Sequence, residues 1–330
     1  MRYSRISCSF VVDRPCKFHI QRSTTRHARK EVIMLKYFLS ASALAICGTG
    51  AAAQNLEYAR LSYDLNSFTF DDSDFITGIF QGEAEMSFDQ IFLGAGVRNF
   101  STDLTDDGDV ENFTFYDVWA GYGARPGILF GAGLTGLSAE DVDRNGYEVF
   151  GQYVDDQFEA SVTLLKLDFD EDNLRTIVNG AYGINPAVTL SATLIRDSEF
   201  DGAQYYLAAD YDQRNIAGRV YYRGDTEFDD TIFGARGTYD FGNAFRANAA
   251  YETLTTDGGA DFSVLAVGGG YEVVDGAWID LDVGSYNADG DDAVRVQATI
   301  SFETGSRIRV DSAFEQDRFD DRNEGVDSFF

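Results

Sequence analysis

The chain has 330 residues, with 26 Lys+Arg against 55 Asp+Glu, a formal net charge of −29, 44% hydrophobic residues and 14% aromatic ones. An acidic excess of that size argues against a nucleic-acid partner, because phosphate binding needs a basic surface, and the aromatic richness argues for packed structure over an acidic disordered tail. No stretch of about twenty uncharged apolar residues is present for a helical membrane span.

Residues 1–33 carry eight Lys/Arg, two Cys and both His without a hydrophobic period, and read as an upstream extension with Met34 as the true start. From Met34, Lys36 supplies a short basic region, Tyr37 to Cys47 an apolar region, and Ala51-Ala52-Ala53 a small-residue cleavage site before Gln54. That order is the pattern of a secretory signal peptide over 34–53. Leu44-Ala45-Ile46-Cys47 approaches a lipidation motif, but Ile46 stands where a small residue is needed. Residues 1–53 hold 9 of the basic and 2 of the acidic residues, leaving 17 against 53 in 54–330. They also hold every Cys (Cys8, Cys16, Cys47) and both His (His19, His27). The remainder has no thiolate, no His general base and no His/Cys metal site, which leaves little for catalysis to work with. The expectation is therefore no enzyme and no cofactor.

From Gln54 onward apolar residues recur every second position, with no 3.6-residue stripe. Val188, Leu190, Ala192 and Leu194 alternate with Thr189, Ser191 and Thr193, and Val294, Val296, Ala298 and Ile300 alternate with Arg295, Gln297 and Thr299. The pattern predicts strands near 55–65, 75–88, 90–100, 111–123, 127–138, 146–155, 157–168, 174–184, 187–196, 202–212, 215–224, 229–240, 244–254, 262–273, 276–286, 293–303 and 306–315. Their connections sort into two kinds. One set is tight and includes Arg125-Pro126, Asn185-Pro186 and Gln213-Arg214; the other is acidic and longer, such as 71–74, 106–109 and 257–261. A soluble sandwich has no reason to sort its turns, whereas a membrane barrel has short periplasmic turns and longer outer loops. Seventeen segments cannot stand if both ends lie on one side, so the count is 16 or 18, and 18 is favoured by treating 320–330 as an irregular last strand.

The signal peptide, the sorted turns, the absence of Cys beyond residue 53 and the terminal Phe330 together resemble Gram-negative outer-membrane porin-type β-barrels. The resemblance is architectural and spans 54–330. It implies a closed antiparallel transmembrane β-barrel of 16–18 strands with short periplasmic turns and Asp-rich outer loops. It also implies location in the outer membrane, contact with lipid and lipopolysaccharide, and assembly as a homotrimer, which is common in such families although the alternation marks no interface. A C-terminal Phe in these barrels is part of the signal read by the insertion machinery. Here the polar run from Glu315 to Glu324 departs from the usual long apolar last strand.

Strand parity places Arg60, Asp64, Glu83, Glu85, Glu111, Asp117 and Glu159 on the polar, inward face of the first half, with Arg219, Arg223, Asp280, Asp282, Arg295, Arg307, Arg309 and Asp311 on that of the second. Opposed charges there would either create a field across a pore or form ion pairs that hold the wall. Arg outnumbers Lys sixteen to one in 54–330, which suits planar pairing with carboxylates. Asp141, Asp143 and Asn145 match the opening of a calcium loop, but Gln152 stands where the bidentate carboxylate belongs, so 141–146 reads as a hairpin turn of weak divalent-cation affinity. No segment is long enough for an infolded constriction loop, so a pore would be narrowed by wall side chains, stay wide, or be plugged by the C-terminal segment. The function expected is passive diffusion of ions and small hydrophilic solutes with a weak cation preference. Two alternatives stand beside it: a non-conducting structural or binding barrel whose acidic loops hold divalent cations or envelope components, and a soluble secreted β-protein.

Overall fold

The computed structural model describes residues 55–69, 74–103, 110–139, 142–167, 174–198, 202–226, 231–255, 262–288 and 291–310. The extension at 1–33, the signal peptide at 34–53 and most acidic loop tips lie outside them. Sixteen strands follow in order: β1 (Leu56–Thr69), β2 (Asp74–Phe88), β3 (Ile91–Asp103), β4 (Val110–Arg125), β5 (Ile128–Ala139), β6 (Val142–Val154), β7 (Phe158–Leu167) and β8 (Leu174–Asn185). The second half contains β9 (Val188–Asp197), β10 (Ala203–Gln213), β11 (Ile216–Asp225), β12 (Thr231–Asp240), β13 (Phe245–Thr255), β14 (Phe262–Val274), β15 (Ala277–Ala288) and β16 (Asp291–Gly305).

Each strand pairs antiparallel with its sequence neighbours, and β1 pairs with β16 from Tyr58↔Gly305 to Thr69↔Val294, closing the barrel. The count is sixteen, which corrects the leaning to eighteen. The strand expected at 306–315 does not form over its described part, 306–310, because β1 has already taken β16 as its partner and no edge is left to pair with. The sorting of connections is as expected, with seven tight turns at one end, beginning with Asp89-Gln90 between β2 and β3. In the β6–β7 turn the Asp155 carboxylate accepts from the amides of Gln157 at 2.8 Å and Phe158 at 2.7 Å. Those amides hold its carboxyl below the usual carboxylate range. At the other end several strands run further than the alternation suggested. β1, β2, β4 and β16 have 14, 15, 16 and 15 residues, whereas β7, β9, β11 and β12 have 10 each.

The outer wall carries the apolar parity. Val118, Leu134, Val149, Leu194, Leu265 and Leu281 are exposed in its middle. Exposed rings gather at the tight-turn end, among them Tyr122, Tyr153, Phe158, Tyr182, Tyr211 and Tyr271, and again towards the loops at Tyr116, Tyr147, Phe233 and Tyr251. Tyr122 donates to Gln90 at 2.6 Å and Tyr211 to Gln213 at 2.7 Å, so each phenol meets polar turn atoms while its ring lies against apolar wall. Two aromatic belts flanking an aliphatic band are what a bilayer selects on a barrel surface.

The seam between β1 and β16 is bonded through its inward side chains. Arg295, 1% exposed, donates from Nε and Nη2 to Asn66 Oδ1 at 3.0 and 2.8 Å, and from Nη2 to Gln297 Oε1 at 2.9 Å. The Thr299 hydroxyl donates to the buried Asp64 carboxylate. Removing the guanidinium leaves Asn66 Oδ1 and Gln297 Oε1 desolvated without that donor. Arg295→Met is expected to cost about 3 kcal/mol of barrel stability, read as a lower urea midpoint in detergent, with the exposed turn substitution Asp156→Asn staying within about 0.5 kcal/mol of the parent.

Candidate functional site

The interior mixes polar and apolar side chains at both ends. Near the tight turns lie cavities of about 700 and 620 Å³, together with a buried apolar cluster of Trp119, Leu129 and Phe150. Nearer the loops, apolar side chains occupy inward positions. Phe68, Ile232, Leu254, Val264, Tyr286 and Ala293 form one buried cluster, and Ile177, Ile195, Tyr206 and Ala208 another. A uniformly polar lumen was the expectation. These positions face inward, but their side chains are apolar.

Of the expected interior charges, Arg60, Asp64, Glu85, Asp280, Asp282, Arg295 and Arg309 are buried within the ring. Glu83, Asp117, Glu159, Arg219, Arg223 and Arg307 are half-buried on the same face. The side chain of Glu111 and all of Asp311 lie outside the described residues. The calcium-loop resemblance does not survive as a hairpin turn. β6 begins at Val142, and its ladder with β5 pairs Arg144 with Leu137 and Asn145 with Gly136, so these residues are extended backbone. Asn145 faces outward, accepting from the Tyr116 hydroxyl. Asp141 and the Asp143 side chain lie outside the described residues.

The 620 Å³ cavity shows how the wall positions charge. Arg246 on β13, Gly270 on β14 and Asp280 on β15 stand in one register row. Because Gly270 has no side chain, Arg246 Nε reaches over β14 to Asp280 Oδ1 at 2.7 Å. A Cβ at Gly270 would lie 2.2 Å from that carboxylate oxygen and 2.9 Å from Arg246 Nε. Asn248 Nδ2 donates to the same oxygen at 2.9 Å, and the guanidinium sits 4.1 Å over Trp278. Further round, Arg219 Nε pairs with Asp210 Oδ1 at 2.5 Å, while Asp212, Arg236 and Glu303 complete the lining. Acidic and basic groups thus share one wall, with Arg175–Asp197 and Arg219–Asp210 pairing between neighbouring strands and Arg246–Asp280 between next neighbours.

Arg246, Arg236, Asp210 and Glu148 are interior charges that the sequence reading missed. On β13 the reason is clear: Ala247, Ala249 and Ala250 fit either face, so only Arg246, Asn248 and Glu252 at every second position carried the signal. On β6, Phe150 between Glu148 and Gln152 breaks the polar row.

No family model matches this chain, and neither does any curated protein sequence. Solved structures do. OccK1 (OpdK) of Pseudomonas aeruginosa superposes with a TM-score of 0.51 at 13% identity, covering 75% of this chain and 98% of its own. A triple mutant of the Rhodopseudomonas blastica porin also gives 0.51 at 13%, covering 74% and 99%. OccAB3 of Acinetobacter baumannii gives 0.51 at 9%, covering 76% and 100%. The barrel fold is therefore of the outer-membrane porin type.

Gly270→Ala is expected to push Asp280 off Arg246 and lift the guanidinium from Trp278. In a Trp119→Phe background, where Trp278 is the only indole, its emission should shift and acrylamide should quench it more strongly, while Gly183→Ala, whose Cβ would make only an ordinary contact at 3.8 Å from the Gln157 carbonyl oxygen, leaves the emission unchanged.

Proposed function

We propose that the protein is an outer-membrane channel for passive diffusion of ions and small hydrophilic solutes, weakly cation-preferring and without catalytic chemistry. The single observation that carries this reading is the wall itself, a closed sixteen-strand ring with an apolar, aromatic-belted outside and a charged interior holding cavities of about 700 and 620 Å³ near the turns. Side chains fill a barrel of about eight strands, whereas about sixteen can enclose a channel. The signal-peptide pattern at 34–53 and the likeness in fold to solved porins support the location. The 53 acidic against 17 basic residues in 54–330 support the cation preference.

A second reading, a non-conducting structural barrel, is favoured by one feature. Phe68 and Ile79 are 0% exposed, so part of the inward face is packed rather than wet. Planar bilayers separate the two. Protein that migrates compactly before boiling should insert and give stepwise conductance, and a salt gradient should give a reversal potential of cation-selective sign. Asp282→Asn should move that potential towards zero and Arg236→Gln away from it, because each changes one interior charge. Well-inserted protein without conductance would establish the structural reading instead.

A further inference from the structure

We propose that Ser306–Val310 is a strap across the tight-turn end of the interior, and that Glu83, Glu148 and Gln152, which anchor it, set the size limit of the pore. The inference rests on the channel reading above.

The chain leaves the wall at Gly305. Its φ of +83° is a left-handed conformation, and a Cβ there would lie 1.9 Å from the Glu57 carbonyl oxygen, so only glycine fits. The Ser306 amide then donates to that carbonyl at 2.9 Å, which turns the chain inward. From there each residue is held by the interior. Arg307 Nη2 donates to Glu83 Oε2 on β2 at 2.6 Å, with its guanidinium 4.8 Å over Tyr58. The Ile308 amide donates to the Glu85 carboxylate. On β6, Gln152 acts as a neighbouring strand would: its Nε2 donates to the Ile308 carbonyl at 2.6 Å, and its Oε1 accepts from the Val310 amide at 2.8 Å. Arg309 forks onto Glu148 at 2.6 and 3.0 Å, 4.4 Å over Phe150. The Ile308 side chain packs against the buried cluster of Trp119, Leu129 and Phe150.

The strap crosses space; it does not follow the wall. Five extended residues reach roughly 17 Å, whereas β1 to β6 covers five strand spacings, or roughly 24 Å of wall. Long side chains close the difference. The strap lines the 700 Å³ cavity, and none of its residues lines the 620 Å³ one. It therefore narrows one side of the mouth and leaves the Arg246/Asp280 side open. The Arg309–Glu148 fork is only 9% exposed on either side chain, so ordinary salt does not screen it away.

The test compares the parent with Arg307→Ala/Arg309→Ala, both refolded as full chains with Trp278→Phe so that Trp119 alone reports on the strap. Release should raise acrylamide quenching of Trp119, raise single-channel conductance by about 1.5-fold or more and admit larger polyethylene glycols in polymer exclusion. More quenching with unchanged conductance and polymer cutoff overturns the proposal, as does unchanged quenching. If neither protein conducts although both migrate compactly, the channel reading falls and the size-limiting role falls with it; if the parent conducts, only the strap is at issue. Should the double variant fail to fold, Arg309→Cys/Glu148→Cys, with Cys8, Cys16 and Cys47 changed to Ser, is joined by a short bifunctional methanethiosulfonate. Joined protein should conduct as the parent does, and the same protein should conduct more after reduction. No change on reduction overturns the proposal.

Discussion

A sheet in lipid can have no edge, because an unpaired amide or carbonyl there has no water to turn to. Every other feature of this molecule depends on that condition being met where β1 finds β16. The two strands lie at opposite ends of the described chain, and their ladder runs through twelve partner pairs from Tyr58↔Gly305 to Thr69↔Val294. Polar side chains pack along that ladder. Arg295, Asn66, Gln297, Asp64 and Thr299 bond to one another with almost no exposure. Side-chain bonds across this closing pair give its register a definition that the tight hairpins elsewhere receive from their turns. The same closure explains why the chain beyond Gly305 must go elsewhere: no partner strand remains for it.

Within the closed ring, side-chain parity decides what meets lipid and what meets the interior, and size decides how far an interior charge can reach. Gly270 shows the second rule. A bare position on β14 lets Arg246 and Asp280, two strands apart, meet as directly as adjacent neighbours. The wall therefore carries ion pairs within itself, and fewer of its charges are left to face each other across open space.

Much of this was legible in the sequence. The period of two and the sorting of turns identify the barrel, and parity places eleven described strand charges, Glu159 among them, on the interior face, while Arg307 and Arg309 lie inside on a segment that forms no strand. What escaped did so for physical reasons. Alanine carries too little polarity to mark a face, so β13 hid Arg246. Inward-facing Phe68, Ile232 and Val264 are chemically indistinguishable from lipid-facing residues until the register is known. Tyr122 and Tyr211 read as ordinary apolar positions, because their belt exists only once strands stand side by side. The segment 306–310 alternates Arg307, Ile308, Arg309 and Val310 as a strand would. Whether such a segment pairs depends on a free edge far away in sequence, which no local pattern reveals.

The unequal strand lengths have a consequence for approach from the loop side. β1, β2, β4 and β16 exceed β7, β9, β11 and β12 by four to six residues, and the tight turns share one level. At about 3.3 Å per residue, the β16–β4 side rises on the order of 10 Å above the β7–β12 side after allowing for strand tilt. The rim is thus slanted, like a collar cut on the bias. A solute approaching from the loop side reaches the strand ends of the β16–β4 side before those of the β7–β12 side.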